Sequence, residues 1–287
     1  MNSIALVLAA LAPLLPQEEP FRPQITPTNE VVVSLTVLPV NHLPLVEAEV
    51  DGVKATLLFD TGASHTTFDR AFVEKSLAEK DLQPVLLGGA TNVKTAPACF
   101  HLGRLALGNA VFGDFTAMTV PLGHLEGSVG RRVDGIVGMN VIRAVPTLLS
   151  LGHGRVTFVP SVKEAAASSV VAANPVVPRV RVKLSGRNTE LLVDSGSSFT
   201  FLANGLWPTS TNHVALAATD VNGTDAVRPL VGEKGCLDLG APVEIKPLVM
   251  PPVMSDQRNL LGADTLLRYD LLIDWPSLSF RPVAAGD

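Results

Sequence analysis

The octapeptide Leu57-Leu58-Phe59-Asp60-Thr61-Gly62-Ala63-Ser64 returns once along the chain, as Leu191-Leu192-Val193-Asp194-Ser195-Gly196-Ser197-Ser198. An offset of 134 lays residues 43–68 over 177–202 without a gap, and nine of the 26 positions are identical: Pro44, Val46, Gly52, Leu57, Leu58, Asp60, Gly62, Ser64 and Thr66. A chain that carries one design twice is expected to fold as two similar halves. In each half an acidic residue follows three apolar ones, where an unpaired carboxylate would be costly to bury. Two such carboxylates related by internal symmetry can satisfy each other.

Bulk properties narrow the function classes. With 287 residues, 47% of them apolar, the chain can bury a substantial core, and the repeat divides it in two. The net charge of -5 contains no Lys/Arg run able to track a phosphate backbone or an anionic membrane, so nucleic acid is excluded as a partner. The apolar stretch 4–15 has the length of a signal-peptide core and is too short for a stable membrane span. Export to a periplasmic or secreted location is therefore expected, although no Lys or Arg precedes the stretch. Cys99 and Cys236 are too few for a disulfide framework and have no metal-ligand spacing. Separate buried thiols are the first reading; one bridge stays open for an exported chain.

Along the chain, 1–29 reads as signal peptide plus a Pro/Gln/Glu-rich extended lead-in, 30–160 as a first lobe, 161–176 as an Ala/Ser/Val-rich linker and 177–287 as a second lobe. Each motif follows the return strand of a hairpin, turning at Asp51-Gly52 and at Ser185-Gly186. A short helix is expected within 69–80, and a turn-rich segment follows at 86–95. Short strands with Gly/Pro punctuation predict an all-β architecture.

An Asp followed by a hydroxyl residue and Gly is common turn chemistry and means little alone. The chain also carries Ile136-Val137-Gly138 after the first copy and Leu260-Leu261-Gly262 after the second. With these four motifs in this order it resembles a two-lobed aspartic protease of the pepsin/retropepsin kind. The resemblance implies two pseudo-symmetric retropepsin/pepsin-like β-barrel lobes with the active-site cleft between them, in a monomer that is an internal pseudo-dimer. It implies Asp60 and Asp194 as the catalytic pair, with Thr61 and Ser195 hydrogen-bonding across the axis and Gly62 and Gly196 admitting backbone N–H groups to the carboxylates. Close carboxylates share a proton, so one can act as base while the other acts as acid on a polypeptide substrate, with no metal and no cofactor. Ser197 offers a hydroxyl that could stabilise an ionised Asp194; Ala63 offers none to Asp60.

A flap over the substrate is expected at 86–95, with Gly88 and Gly89 at its tip. The pepsin flap carries a tyrosine, whereas the single tyrosine here is Tyr269, in the other half. The six histidines show no HExxH or paired-ligand spacing; His65, directly after the first motif, is the exception to watch. Trp207 and Trp275 are expected as core or rim aromatics. The leading expectation is an aspartic endopeptidase acting on extended polypeptides. The alternative is a catalytically inactive peptide-binding or inhibitor module on the same fold.

Overall fold

The computed structural model describes residues 5–8, 24–25, 29–77, 81–84, 97–159, 169–171, 176–220, 223–239, 242–250 and 259–283. Strands dominate them, and the helices are only one or two turns long. In the first lobe, β1 (Val31–Ser34) leads to the hairpin of β2 (Pro44–Val50) and β3 (Val53–Phe59). The hairpin turns at Asp51-Gly52 with φ of 45° and 85°, the doubly positive pair whose twist matches the flanking strands. Leu57, Leu58 and Phe59 at the end of β3 are all fully buried, because this strand is covered on both faces.

After β4 (Thr67–Asp69), the seven-residue helix α1 (Arg70–Ser76) would be marginal alone. It is held by Phe72 and Val73, with the Phe72 ring stacked on Phe68 at 6.2 Å. The long strands β5 (Ala98–Leu107) and β6 (Ala110–Val120) follow, then β7 (Gly135–Val137) and the single turn α2 (Met139–Ile142). The order β5–β6–β4–β7–β3–β2 returns to β5, so the first lobe is a closed barrel. Gln83 and Pro84 pair with Cys99 and Ala98 as the stem of a further hairpin. The expected flap tip with Gly88 and Gly89 lies outside the described residues.

After β8 (Thr147–Ser150) and β9 (Arg155–Phe158), the second lobe repeats the hairpin as β10 (Arg179–Leu184) and β11 (Arg187–Val193), turning at Ser185-Gly186 with φ of 47° and 78°. β12 (Phe201–Ala203), β13 (Leu248–Met250) and β14 (Leu260–Leu261) continue its sheet, and the turn α3 (Ala263–Leu266) follows. Here the described residues form an open seven-stranded sheet rather than a second closed barrel. Closure in the first lobe depends on β5 and β6, of 10 and 11 residues. The second lobe instead has the four-residue strands Gly235–Asp238 and Pro242–Ile245, which pair only with each other. A separate hairpin pairs Leu216–Asp220 with Gly223–Val227.

The halves meet in a six-stranded antiparallel sheet. β15 (Tyr269–Asp274) and β16 (Ser277–Pro282) join β8, β9 and β1, with β8 and β15 in register from Thr147↔Ile273 to Ser150↔Asp270. Ser169–Val171, inside the expected linker, pairs with β16 and completes the sheet. Tyr269 is buried here with its ring edge-on to Phe280 at 5.8 Å, so the lone tyrosine is a core residue. One large apolar cluster runs from Phe59, Phe112 and Phe158 through Val180 and Leu191 to Tyr269 and Phe280, with Trp207 and Trp275 packed on it.

Two expectations about the chain ends and thiols change. Gln24–Ile25 of the lead-in pairs with Phe112 and Gly113, adding a strand where only extended chain was expected. Ala5–Leu8 runs parallel to Leu216–Asp220; the rest of the expected signal segment lies outside the described residues. Cys99 and Cys236 are separate free thiols, but Cys99 is only half-buried and Cys236 is exposed. No helix among the described residues is long and apolar enough to cross a membrane.

Candidate active site

Each copy of the motif is held between two neighbours. β3 pairs in parallel with β7 (Leu57↔Gly135 to Phe59↔Val137), and β11 pairs likewise with β14 (Leu192↔Leu260, Val193↔Leu261). The hydrogen bonding continues past the strand ends in both lobes. Asp60 N–H donates to Val137 O and Asp194 N–H to Leu261 O, both at 3.0 Å. Met139 N–H donates to Ala63 O at 2.8 Å and Ala263 N–H to Ser197 O at 2.7 Å. The apolar-apolar-Gly segments therefore buttress the two loops from behind.

Thr61 and Ser195 join the lobes at these loops. Thr61 N–H donates to Ser195 Oγ at 3.0 Å, while Ser195 Oγ–H donates to Phe59 O at 2.8 Å. The converse pair runs from Ser195 N–H to Thr61 Oγ1 at 3.0 Å and from Thr61 Oγ1–H to Val193 O at 2.7 Å. Both residues are fully buried, so each hydroxyl satisfies one donor and one acceptor that water cannot reach.

The lock brings Asp60 and Asp194 into contact, with 0% and 1% of their surface exposed. A Cβ on Gly62 would lie 2.5–2.7 Å from three atoms of the Asp194 carboxyl, and one on Gly196 would overlap the Asp60 carboxyl. Only glycine permits this approach. Gly62 N–H and Ala63 N–H donate to Asp60 Oδ1 at 2.7 and 3.2 Å; Gly196 N–H donates to Asp194 Oδ1 at 3.0 Å.

Asp60 Oδ2 is buried without a conventional donor, which suits a proton shared between the two carboxyls. Burial pushes both carboxyls above the usual range. Asp194 stands higher, because after burial the Asp60 charge adds to the rise, whereas hydrogen bonds from Asp194 and the loop N–H groups restrain Asp60. The pair can hold a single shared proton.

Ser197, His65 and a brace behind each loop refine the site. Ser197 does not act as expected: its Oγ–H donates to Phe199 O at 2.9 Å, so its hydroxyl is spent on the backbone and only its N–H serves Asp194. His65 is buried, with Nδ1 2.8 Å from Ser64 Oγ. Burial and the Arg143 charge push it down to about 4, keeping the ring neutral. Behind each loop stands a brace the repeat only half announced. Asn140 Oδ1 accepts from Thr66 N–H at 2.7 Å and Oγ1–H at 2.9 Å; Asp264 Oδ1 accepts from Thr200 N–H at 2.9 Å and Oγ1–H at 2.8 Å. The threonines are a repeat identity. Their partners lie two residues past each supporting glycine, a matched position with unmatched residues.

Asp60, Thr61, Gly62, Asp194, Ser195 and Gly196 are thus gathered at one point. No group of three or more His, Cys, Asp or Glu among the described residues forms a metal-binding cluster. The chain matches two family models, one described as aspartyl protease over residues 46–141 and one as retroviral aspartyl protease over 175–274. No curated protein matches it. The two matches fall one on each half, each containing a copy of the aspartate loop, and the chain belongs to the retropepsin-like aspartic proteases as a member with two lobes.

Proposed function

We propose that the chain is an active aspartic endopeptidase that hydrolyses peptide bonds of extended polypeptides, with Asp60 and Asp194 as its catalytic residues. The observation that carries this reading is a pair of buried, touching carboxyls with unequal N–H support. Asp60, richer in donors, is the ionised member and takes a proton from a water molecule placed between the two. Asp194, which keeps its proton, donates a hydrogen bond to the scissile carbonyl oxygen. Water attacks, the tetrahedral centre collapses, and the proton held by the dyad passes to the leaving nitrogen. No covalent enzyme intermediate forms.

Extended substrate is favoured because the second-lobe hairpin already accepts one strand in parallel register along Leu216–Asp220. Main-chain pairing of that kind gives affinity, and side-chain pockets give preference. The same reading takes the apolar segment 4–15 as an export signal.

The test is cleavage of a denatured protein at mildly acidic pH by the wild type and by Asp60→Asn and Asp194→Asn. Loss of cleavage in both variants, with folding retained, is expected. Peptide binding without cleavage from acidic to neutral pH would instead establish an inactive binding module.

A further inference from the structure

We propose that Asp264 is a titratable positioning residue for the loop that carries Asp194, doing with an ionisable group what Asn140 does with a neutral amide behind the Asp60 loop. The geometry is shared. Gly138 N–H donates to Thr66 Oγ1 and Gly262 N–H to Thr200 Oγ1, each at 3.1 Å, so each threonine links a supporting glycine to the Asn140 or Asp264 oxygen. Asn140 N–H donates to Ser64 O at 3.2 Å and Asp264 N–H to Ser198 O at 3.3 Å. Thr66 and Thr200 each stand six residues after their aspartate, so the brace sets where the loop re-enters the sheet.

The difference lies in the charge. Thr265 N–H also donates to Asp264 Oδ1, at 2.7 Å. Oδ1 thus gathers Thr200 N–H, Thr200 Oγ1–H and Thr265 N–H, donors that favour the ionised carboxyl, whereas its burial favours the protonated one.

Ionising Asp264 adds a charge whose surroundings are hydroxyls and amides. The groups acting on its carboxyl are the Thr200 and Thr265 side chains and backbone N–H groups, with no charged side chain among them. The strand and the turn packed on its helix carry Tyr269, Asp270 and Asp274 and His153, and Arg268 follows the helix. Burial, the largest influence, raises the Asp264 carboxyl above its ordinary 3.8 against the pull of these hydrogen bonds. A raised folded value means that this group's contribution to stability is fully present below about 3.8 and is lost as pH rises through the folded value. The Asp264 brace therefore holds best in acid and loosens toward neutral pH, whereas the Asn140 brace has no group that titrates.

The role bears on catalysis only if the hydrolase reading holds, so the test has an arm that needs no turnover. Thermal unfolding of the full chain is followed from pH 4 to 7 for wild type, Asp264→Asn and Asn140→Asp. Relative to wild type, Asp264→Asn should lose part of the decline in Tm toward neutral pH, gaining roughly 2–4 °C there. Asn140→Asp should steepen the decline, and it remains informative should Asp264→Asn fail to fold. In the activity arm, kcat of Asp264→Asn should persist to higher pH with KM nearly constant. A Tm lowered equally at every pH, or a pH dependence matching wild type in both variants, would overturn the proposal. Thermal shifts as expected without any cleavage would leave the brace standing and sink the hydrolase reading.

Discussion

Removing the Ser195 hydroxyl tests how much of the site depends on the lock between lobes. In Ser195→Ala, Thr61 N–H loses its acceptor and Phe59 C=O loses its donor, both in a region with 0% exposure. An orphaned buried polar group costs about 1–3 kcal/mol, so the two together should cost roughly 2–6 kcal/mol. That is a large part of the roughly 5–15 kcal/mol that holds a typical domain folded. For a chain of this size it corresponds to a fall in Tm of roughly 4–20 °C. Thr61→Ala orphans Ser195 N–H and Val193 C=O and should cost a similar amount. The double variant should cost less than the sum by about 1 kcal/mol, because loops already parted admit water to the remaining groups. Thr61→Ser, which keeps the hydroxyl, is the control and should stay within about 1 kcal/mol of wild type. Denaturant unfolding measures the cycle, and cleavage of a denatured protein reports whether the dyad survives. Single variants within about 0.5 kcal/mol of wild type would refute the claim that these four hydrogen bonds hold the loops together.

Four further outcomes follow from the same geometry. Gly62→Ala and Gly196→Ala should each abolish cleavage while leaving much of the secondary structure, read by circular dichroism, since a Cβ there displaces the opposite carboxyl. The rate profile should be bell-shaped, rising as Asp60 ionises and falling as Asp194 loses its proton; with both carboxyls raised, activity confined to strongly acidic pH would contradict the arrangement. Ser197→Ala should leave that profile in place and cost about 0.5–1.5 kcal/mol, the worth of one hydrogen bond to Phe199 O, as read by denaturant titration. A reducing agent should leave Tm unchanged, because Cys99 and Cys236 are separate thiols.

The aspartates, the glycines and the hydroxyl lock were legible because they are local and occur twice. Six consecutive positions of motif, 57–62 against 191–196, repeated with identical polarity, report their own environment. The brace was not legible in the same way. Thr66 and Asn140 are 74 residues apart, and nothing in either residue type names the other before the chain folds. Ser197 misled because a hydroxyl near a carboxyl has several acceptors in reach, and the Phe199 carbonyl two residues on won. The second-lobe hairpin escaped because Leu216–Asp220 and Gly223–Val227 are short and do not alternate cleanly between apolar and polar residues. Barrel closure, present among the described residues in one lobe and not in the other, depends on strand length, and the boundaries of short strands are what sequence patterns resolve least.

The six-stranded sheet has one more consequence. On either side of residues 160–168 the chain contributes three of its strands: Val31–Ser34, Thr147–Ser150 and Arg155–Phe158 before, Ser169–Val171, Tyr269–Asp274 and Ser277–Pro282 after. Severing the covalent connection there divides none of the described strands and separates no described backbone pair within either half. The protein is thus suited to being expressed as two fragments that find each other, with activity rising in proportion to their association rather than to the concentration of either piece.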